Sequence, residues 1–211
     1  MRKDIIVLTK SIKHNGYCVA GIDAHTGEWV RLVSDDHESE GAVPAEMLQY
    51  SDGSFVQIYD VISVEIISHV PTLVQPENYL YAGDVKWRKI GVSNLDEVID
   101  LHGYDNPRYV FGNTDVSLPS DWRFTGESSL LLLNVPESNI WIKTFQNGSK
   151  TVSLNFTYNN EKYMYMRISQ KGFRSLDDGS YSTGSDSIVF SLTDRYYYNG
   201  KYYKVVAQIL D

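Results

Sequence analysis

The chain has 211 residues, 42% of them hydrophobic and 22% charged, and carries a formal net charge of −8. This size buries the core of one large domain or two small ones, and the composition excludes a disordered chain. No apolar run approaches the roughly 20 residues of a membrane helix, and net acidity argues against a surface that binds nucleic acid over its whole extent.

The first elements read as β. Ile5-Ile6-Val7-Leu8 leads through Thr9-Lys10-Ser11-Ile12-Lys13 to Gly16-Tyr17-Cys18-Val19-Ala20-Gly21. After a turn-rich break at 23–27 the chain resumes as Glu28-Trp29-Val30-Arg31-Leu32-Val33-Ser34. Short β-rich runs bounded by Gly, Asn and Asp are strand signals, and a break of this length is a hairpin loop. Residues 43–50 allow a short helix, 55–67 read as a long strand, and 71–84 as an extended, irregular segment. The best helical stretch is 93–101, where Ser93 is placed to cap and Leu95, Val98 and Ile99 recur at helical spacing. Residues 103–128 are rich in Gly, Asn, Asp and Pro and read as a long excursion or an interdomain connection.

A second β block begins at Leu130. Leu130-Leu131-Leu132-Leu133 and residues 140–145 are strands; 151–158 and 162–168 alternate around Asn159-Asn160-Glu161 as a hairpin; 171–187 is a polar loop. Arg195-Tyr196-Tyr197-Tyr198 and Lys201-Tyr202-Tyr203-Lys204-Val205 flank Asn199-Gly200, a pair suited to a two-residue type I′ turn. Many short strands with little helix point to small barrels. The expected fold is mostly β, two OB-like small β-barrels with one or two short helices, divided as residues 1–125 and 126–211.

Several motifs resemble the dual OB-containing domain family of prokaryotic proteins. These are Lys10-Ser11, Gly16-x-Cys18-x-Ala20-Gly21, Trp29-Val30-Arg31-x-Val33-Ser34, Pro76-Glu77-Asn78-Tyr79, Trp87, Asn113-x-Asp115, Ser191-Leu192 and Tyr203-Lys204-Val205-Val206-Ala207. Two departures stand out: Val74-Gln75 where the family often has His-Gln, and Val116 where it often has Arg. The resemblance implies two OB-like barrels and a nucleic-acid-binding or ligand-sensing role in microbial conflict systems, with no established catalytic residues.

The chemistry-bearing patterns of many enzymes are absent. There is no phosphate-binding glycine loop and no HExxH, and the five histidines (His14, His25, His37, His69, His102) are scattered. One cysteine gives no zinc set and no internal disulfide, and it fits a reducing cytoplasm; the start, Met1-Arg2-Lys3-Asp4, shows no signal-peptide pattern. The run 35–40 reads as an acidic surface loop, and Asp60 and Glu65 as residues on opposite strand faces. No catalytic residue, metal or cofactor is expected, although an enzyme assembled from distant residues stays open as an alternative.

Charge is uneven. Residues 1–33 sum to +2, 34–140 to −13 and 141–211 to +3. Cations interleave with tyrosines in the C-terminal hairpin and in Lys162, Tyr163, Tyr165 and Arg167, the mixture with which OB surfaces stack bases and track phosphates. The same tyrosines equally fill small barrels, and the four tryptophans read as packing residues. Candidate ligand-binding residues are therefore Lys10, Ser11, Lys13, Arg31, Glu77, Asn78, Arg167, Tyr203 and Lys204. In one reading Arg31 and Lys10 hold a phosphate while Glu77 and Asn78 read a base or ribose; in the other Glu77 pairs internally with Lys10 or Arg31. The expected partner is single-stranded DNA or RNA, or a nucleotide-derived ligand. A protein partner of the Tyr-rich sheet is the alternative, and no membrane is expected.

Overall fold

The computed structural model describes residues 1–13, 15–36, 39–196 and 198–211. His14, His37, Glu38 of the acidic loop and Tyr197 of the C-terminal tyrosine run lie outside the described residues. The chain divides into two compact units, Met1–Gly103 and Tyr104–Asp211.

The first unit contains β1 (Arg2–Lys13), β2 (Gly16–Asp23), β3 (Trp29–Val33), β4 (Asp60–His69), β5 (Asn78–Tyr81), β6 (Arg88–Val92) and the helix α1 (Leu95–His102). β1 is long enough to serve two neighbours: Arg2–Ile6 pair with β4, and Ile5–Lys13 with β2. A bulge between Val7 and Thr9 bends it from one to the other. The ring runs β1-β2-β3-β5-β4 and back to β1, antiparallel except for the parallel β3–β5 pair. Ile5, Val19, Leu32, Ile62, Val64 and Trp87 fill its interior. Gly21 lies opposite the bulge, where any Cβ would collide with the carbonyl oxygen of Ile6.

The second unit contains β7 (Ser117–Leu118), β8 (Leu130–Asn134), β9 (Ser138–Thr144), β10 (Lys150–Tyr158), β11 (Glu161–Ile168), β12 (Gly179–Ser182), β13 (Ser187–Leu192) and β14 (Tyr202–Leu210). Here the long first strand is broken into β8, which pairs with β13, and β9, which pairs with β10. Val135 N–H to Asp186 O and Thr157 N–H to Glu137 O carry the bonding across the break. β11 and β14 are the parallel pair, so the order of neighbours repeats that of the first unit. Leu154, Phe156, Tyr163, Met166, Phe190 and Val206 lie in this core.

The structure corrects several expectations locally. Residues 104–125 pack with the second unit, not the first, because Val110, Phe111 and Leu118 enter its core. The irregular segment 71–84 contains β5, and the polar loop 171–187 contains the edge strand β12. The short helix expected within 43–50 is present as a 3-10 helix at Ala45–Leu48. Asn94, not Ser93, caps α1 by accepting from Glu97 N–H, while Ser93 Oγ donates to the Glu97 carboxylate. The two-residue type I′ geometry occurs at Asn159-Asn160, both with positive φ, between the paired Tyr158 and Glu161. At Asn199-Gly200 only the glycine has positive φ; Asn199 Oδ1 accepts from Lys201 N–H, and the turn is wider.

Candidate nucleic-acid interface

In the first unit the motif residues gather on the face of the sheet opposite the core, yet they are buried. Thr9, Ala20, Arg31 and Asn78 are in register across β1, β2, β3 and β5, so they share one face. Ser11 and Cys18, paired with each other, lie two positions along on that face. Arg31 is 4% exposed; its Nε donates to Glu77 Oε1 at 3.0 Å, a terminal guanidinium N–H faces Cys18 Sγ at 2.8 Å, and its backbone N–H donates to Glu77 O. Asn78 donates to Gln75 Oε1 at 3.3 Å. At the two ends of the row, Thr9 Oγ1 and Asn78 Oδ1 are buried without a hydrogen-bond partner among the described residues.

Lys10 points the other way, being in register with Val19, Leu32 and Tyr79, and its ammonium donates to Val56 O. Lys13 reaches Glu40 O at 2.7 Å. A phosphate pocket shared by Lys10 and Arg31 is therefore not formed, because successive strand residues face opposite sides and these two occupy opposite faces. The internal Arg31–Glu77 pair is the alternative that the fold adopts.

A second buried carboxylate of this unit, Asp60, is saturated by Tyr50 Oη at 2.8 Å, Gln57 N–H at 2.9 Å and Lys89 Nζ at 2.5 Å. Burial, then the hydrogen bond to Asp60, pushes the Tyr50 phenol far above its ordinary range. Among the described residues, no group of three or more His, Cys, Asp or Glu is placed to hold a metal ion.

In the second unit Lys204 faces inward. It is 1% exposed, and its ammonium donates to both oxygens of Asn113, backbone O and Oδ1, each at 2.6 Å. The Tyr163 ring lies 6.0 Å away, and Tyr163 Oη accepts from Val110 N–H, so two core side chains fasten the segment 110–113. Phe111 and Gly112 there take left-handed conformations. Burial pushes the Lys204 ammonium down to about 7, with Asp115 acting in the opposite sense.

The outward face of the same barrel is different. Ser180, Trp141, Ser153, Arg167 and Val205 are in register across β12, β9, β10, β11 and β14. Ser182, Asn139 and Asn155 form the adjacent row, and Lys143 opposes Thr151 on the same face. A bulge opposite Asn155 turns Met164 and Tyr165 both outward. Tyr165, with φ of 59°, is 55% exposed and sits edge-on to Trp141 at 5.1 Å between ring centroids. Arg167 and Lys143 are exposed.

The β13–β14 connection adds Arg195, Tyr196, Tyr198 and Lys201. Tyr198 is 82% exposed, and Tyr196 touches both it and Tyr203. Ser120, Arg195, Tyr196, Tyr198, Asn199 and Gly200 line an open cleft of about 590 Å³. Of the residues expected in a site, Arg167 and Tyr203 belong to this outer surface, whereas Lys204 does not. Sequence reading missed Asn139, Trp141, Lys143 and Asn155; their two-residue spacing against apolar Ile140, Ile142 and Leu154 was the signal that places them together.

One closed five-stranded ring and a second sheet with the same order of neighbours, each with a parallel pair between its third and last strands, define a tandem OB-fold protein. A model of the dual OB-containing domain family matches residues 3–209, and the chain belongs to that family. No curated protein and no solved structure matches it. Among the described residues, no helix is long and apolar enough to cross a membrane.

Proposed function

We propose that the second barrel binds single-stranded nucleic acid on its outer face, without catalysis. The observation that carries the reading is the outward-facing pair of half-buried Trp141 and exposed Tyr165, flanked by Arg167 and Lys143. OB folds take oligonucleotides on the face of their second and third strands and on the loops after the first and fourth. Here those strands are β10 and β11, and the corresponding loops carry Phe145, 49% exposed, and the Arg195–Tyr198 cluster. Aromatic faces stack bases of any sequence while cations follow the phosphates. Charge supports the same side: the sixteen Asp and Glu of residues 1–103 outnumber eight Lys and Arg, whereas residues 104–211 hold eleven of each. In the conflict-system setting that the family resemblance implies, such a module supplies recognition to a larger machinery.

Fluorescence anisotropy with short single-stranded DNA and RNA, at low and high salt, tests this. Binding that weakens with salt, and that Tyr165→Ala weakens by about 1–3 kcal/mol, is the expected result. Absence of binding at low salt overturns it.

A further inference from the structure

The outer face of the second barrel contains an amide whose orientation is fixed from beneath. The chain of constraints starts at the β11 bulge. The backbone N–H of Tyr165, an unambiguous donor, points at Asn155 Oδ1 at 2.8 Å. Asn155 must therefore present its NH₂ group on the other side, and there it meets Asn139 Oδ1 at 3.5 Å. Ser180 Oγ, from the edge strand on the opposite flank, also donates to Asn139 Oδ1, at 3.3 Å. Two neighbours thus occupy the oxygen of Asn139. Its Nδ2, with two N–H donors, is the end left to the exposed face.

Asn139 stands two residues from Trp141 on β9 and across from Asn155, beside which Tyr165 bulges outward. A base stacked on the Trp141–Tyr165 pair brings its edge over this amide. We infer that Asn139 is a specificity-determining residue that reads the edge of a stacked base as a donor only, favouring bases with two adjacent acceptors. Cytosine offers O2 beside N3, and guanine offers O6 beside N7. Adenine places an amino group beside N7 and N1, and the two-point contact of an Asn with adenine needs the amide oxygen as well as the NH₂. Here that oxygen is engaged. The inference rests on the binding reading above and assigns its base preference.

The test compares oligo(dC) with oligo(dA) of equal length by anisotropy, for wild type, Asn139→Ala and Ser180→Ala, each checked for unchanged melting temperature. Self-stacking of oligo(dA) penalises binding to all three proteins equally, so the change in the dC:dA affinity ratio between proteins is the readout. One net hydrogen bond corresponds to a roughly three- to tenfold ratio. Asn139→Ala is expected to remove that factor. Ser180→Ala, which frees one side of Oδ1 and lets the amide turn over, is expected to reduce it. A ratio that Asn139→Ala leaves unchanged overturns the base-reading role while the binding reading stands. Failure of wild type to bind either oligonucleotide overturns both.

Discussion

Asn113 and Lys204, 91 residues apart, form a closed clasp in which one ammonium is held by the backbone and side-chain oxygens of a single residue. The folded protein holds this lysine down at about 7, against an ordinary 10.5 that applies once the chain unfolds. Between those values the unfolded chain binds a proton that the folded one has released, so stability rises with pH across that window. At and below neutrality the full cost of burying the charge is present. Chemical denaturation from pH 6 to 9.5 is expected to show wild type gaining stability relative to Lys204→Met. A flat difference between the two would remove the assignment.

Glu77→Ala leaves the Arg31 guanidinium buried without its carboxylate. Breaking a buried pair from one side typically costs about 3–5 kcal/mol, much more than an exposed pair is worth. Urea titration is expected to show a loss of this size.

Thr9→Val is expected to stabilise the protein. The hydroxyl is fully buried and has no partner among the described residues, so replacing it by a methyl group of similar shape removes an unsatisfied polar atom. The gain expected from thermal or urea unfolding is about 1 kcal/mol. A loss of stability would show that the hydroxyl is solvated or bonded in solution.

Arg167 and Lys204, two of the cations of the second unit, predict different salt behaviour. Arg167 is exposed on the outer face, and if it meets a phosphate, Arg167→Ala reduces the slope of log K against log salt by about one. Lys204, enclosed by the core, contributes no such contact, and Lys204→Met leaves the slope unchanged.

Strands with strict alternation were legible in the sequence. β9 and β10 follow their apolar period, and the break at 23–27 is the turn between β2 and β3, whereas the turn between β1 and β2 after Lys13 was not read from the sequence. β5 was not legible, because Asn78-Tyr79-Leu80-Tyr81 is only four residues long and follows a segment rich in Pro and Gln. Its strand character comes from pairing with β3 and β4, which are distant in sequence. The site was only partly legible for a related reason. Basic and aromatic residues can be counted from the sequence, but strand phase decides that Lys204 faces the core, and packing decides that Arg31 is buried with Glu77 on the face away from its core while Arg167, on the corresponding face of its own sheet, stays exposed. The bulges at Val7–Thr9 and at Tyr165 reset that phase, and composition carries no trace of them.

The parallel β3–β5 and β11–β14 pairs make each ring dependent on a strand that arrives late. From Val33 until Asn78, and again from Ile168 until Tyr202, the growing chain holds a third strand with one row of amides and carbonyls unmet. Loop closure over such distances slows folding, and two rings of the same connectivity each offer the other's last strand a plausible partner. Strand exchange is the expected competitor of correct closure on refolding from denaturant, and a refolding yield that falls with protein concentration checks it. Dilution favours closure when the exchange is between molecules, and only differences in side-chain fit, such as Asn78 beside Arg31 against Val205 beside Arg167, arbitrate when it is within one.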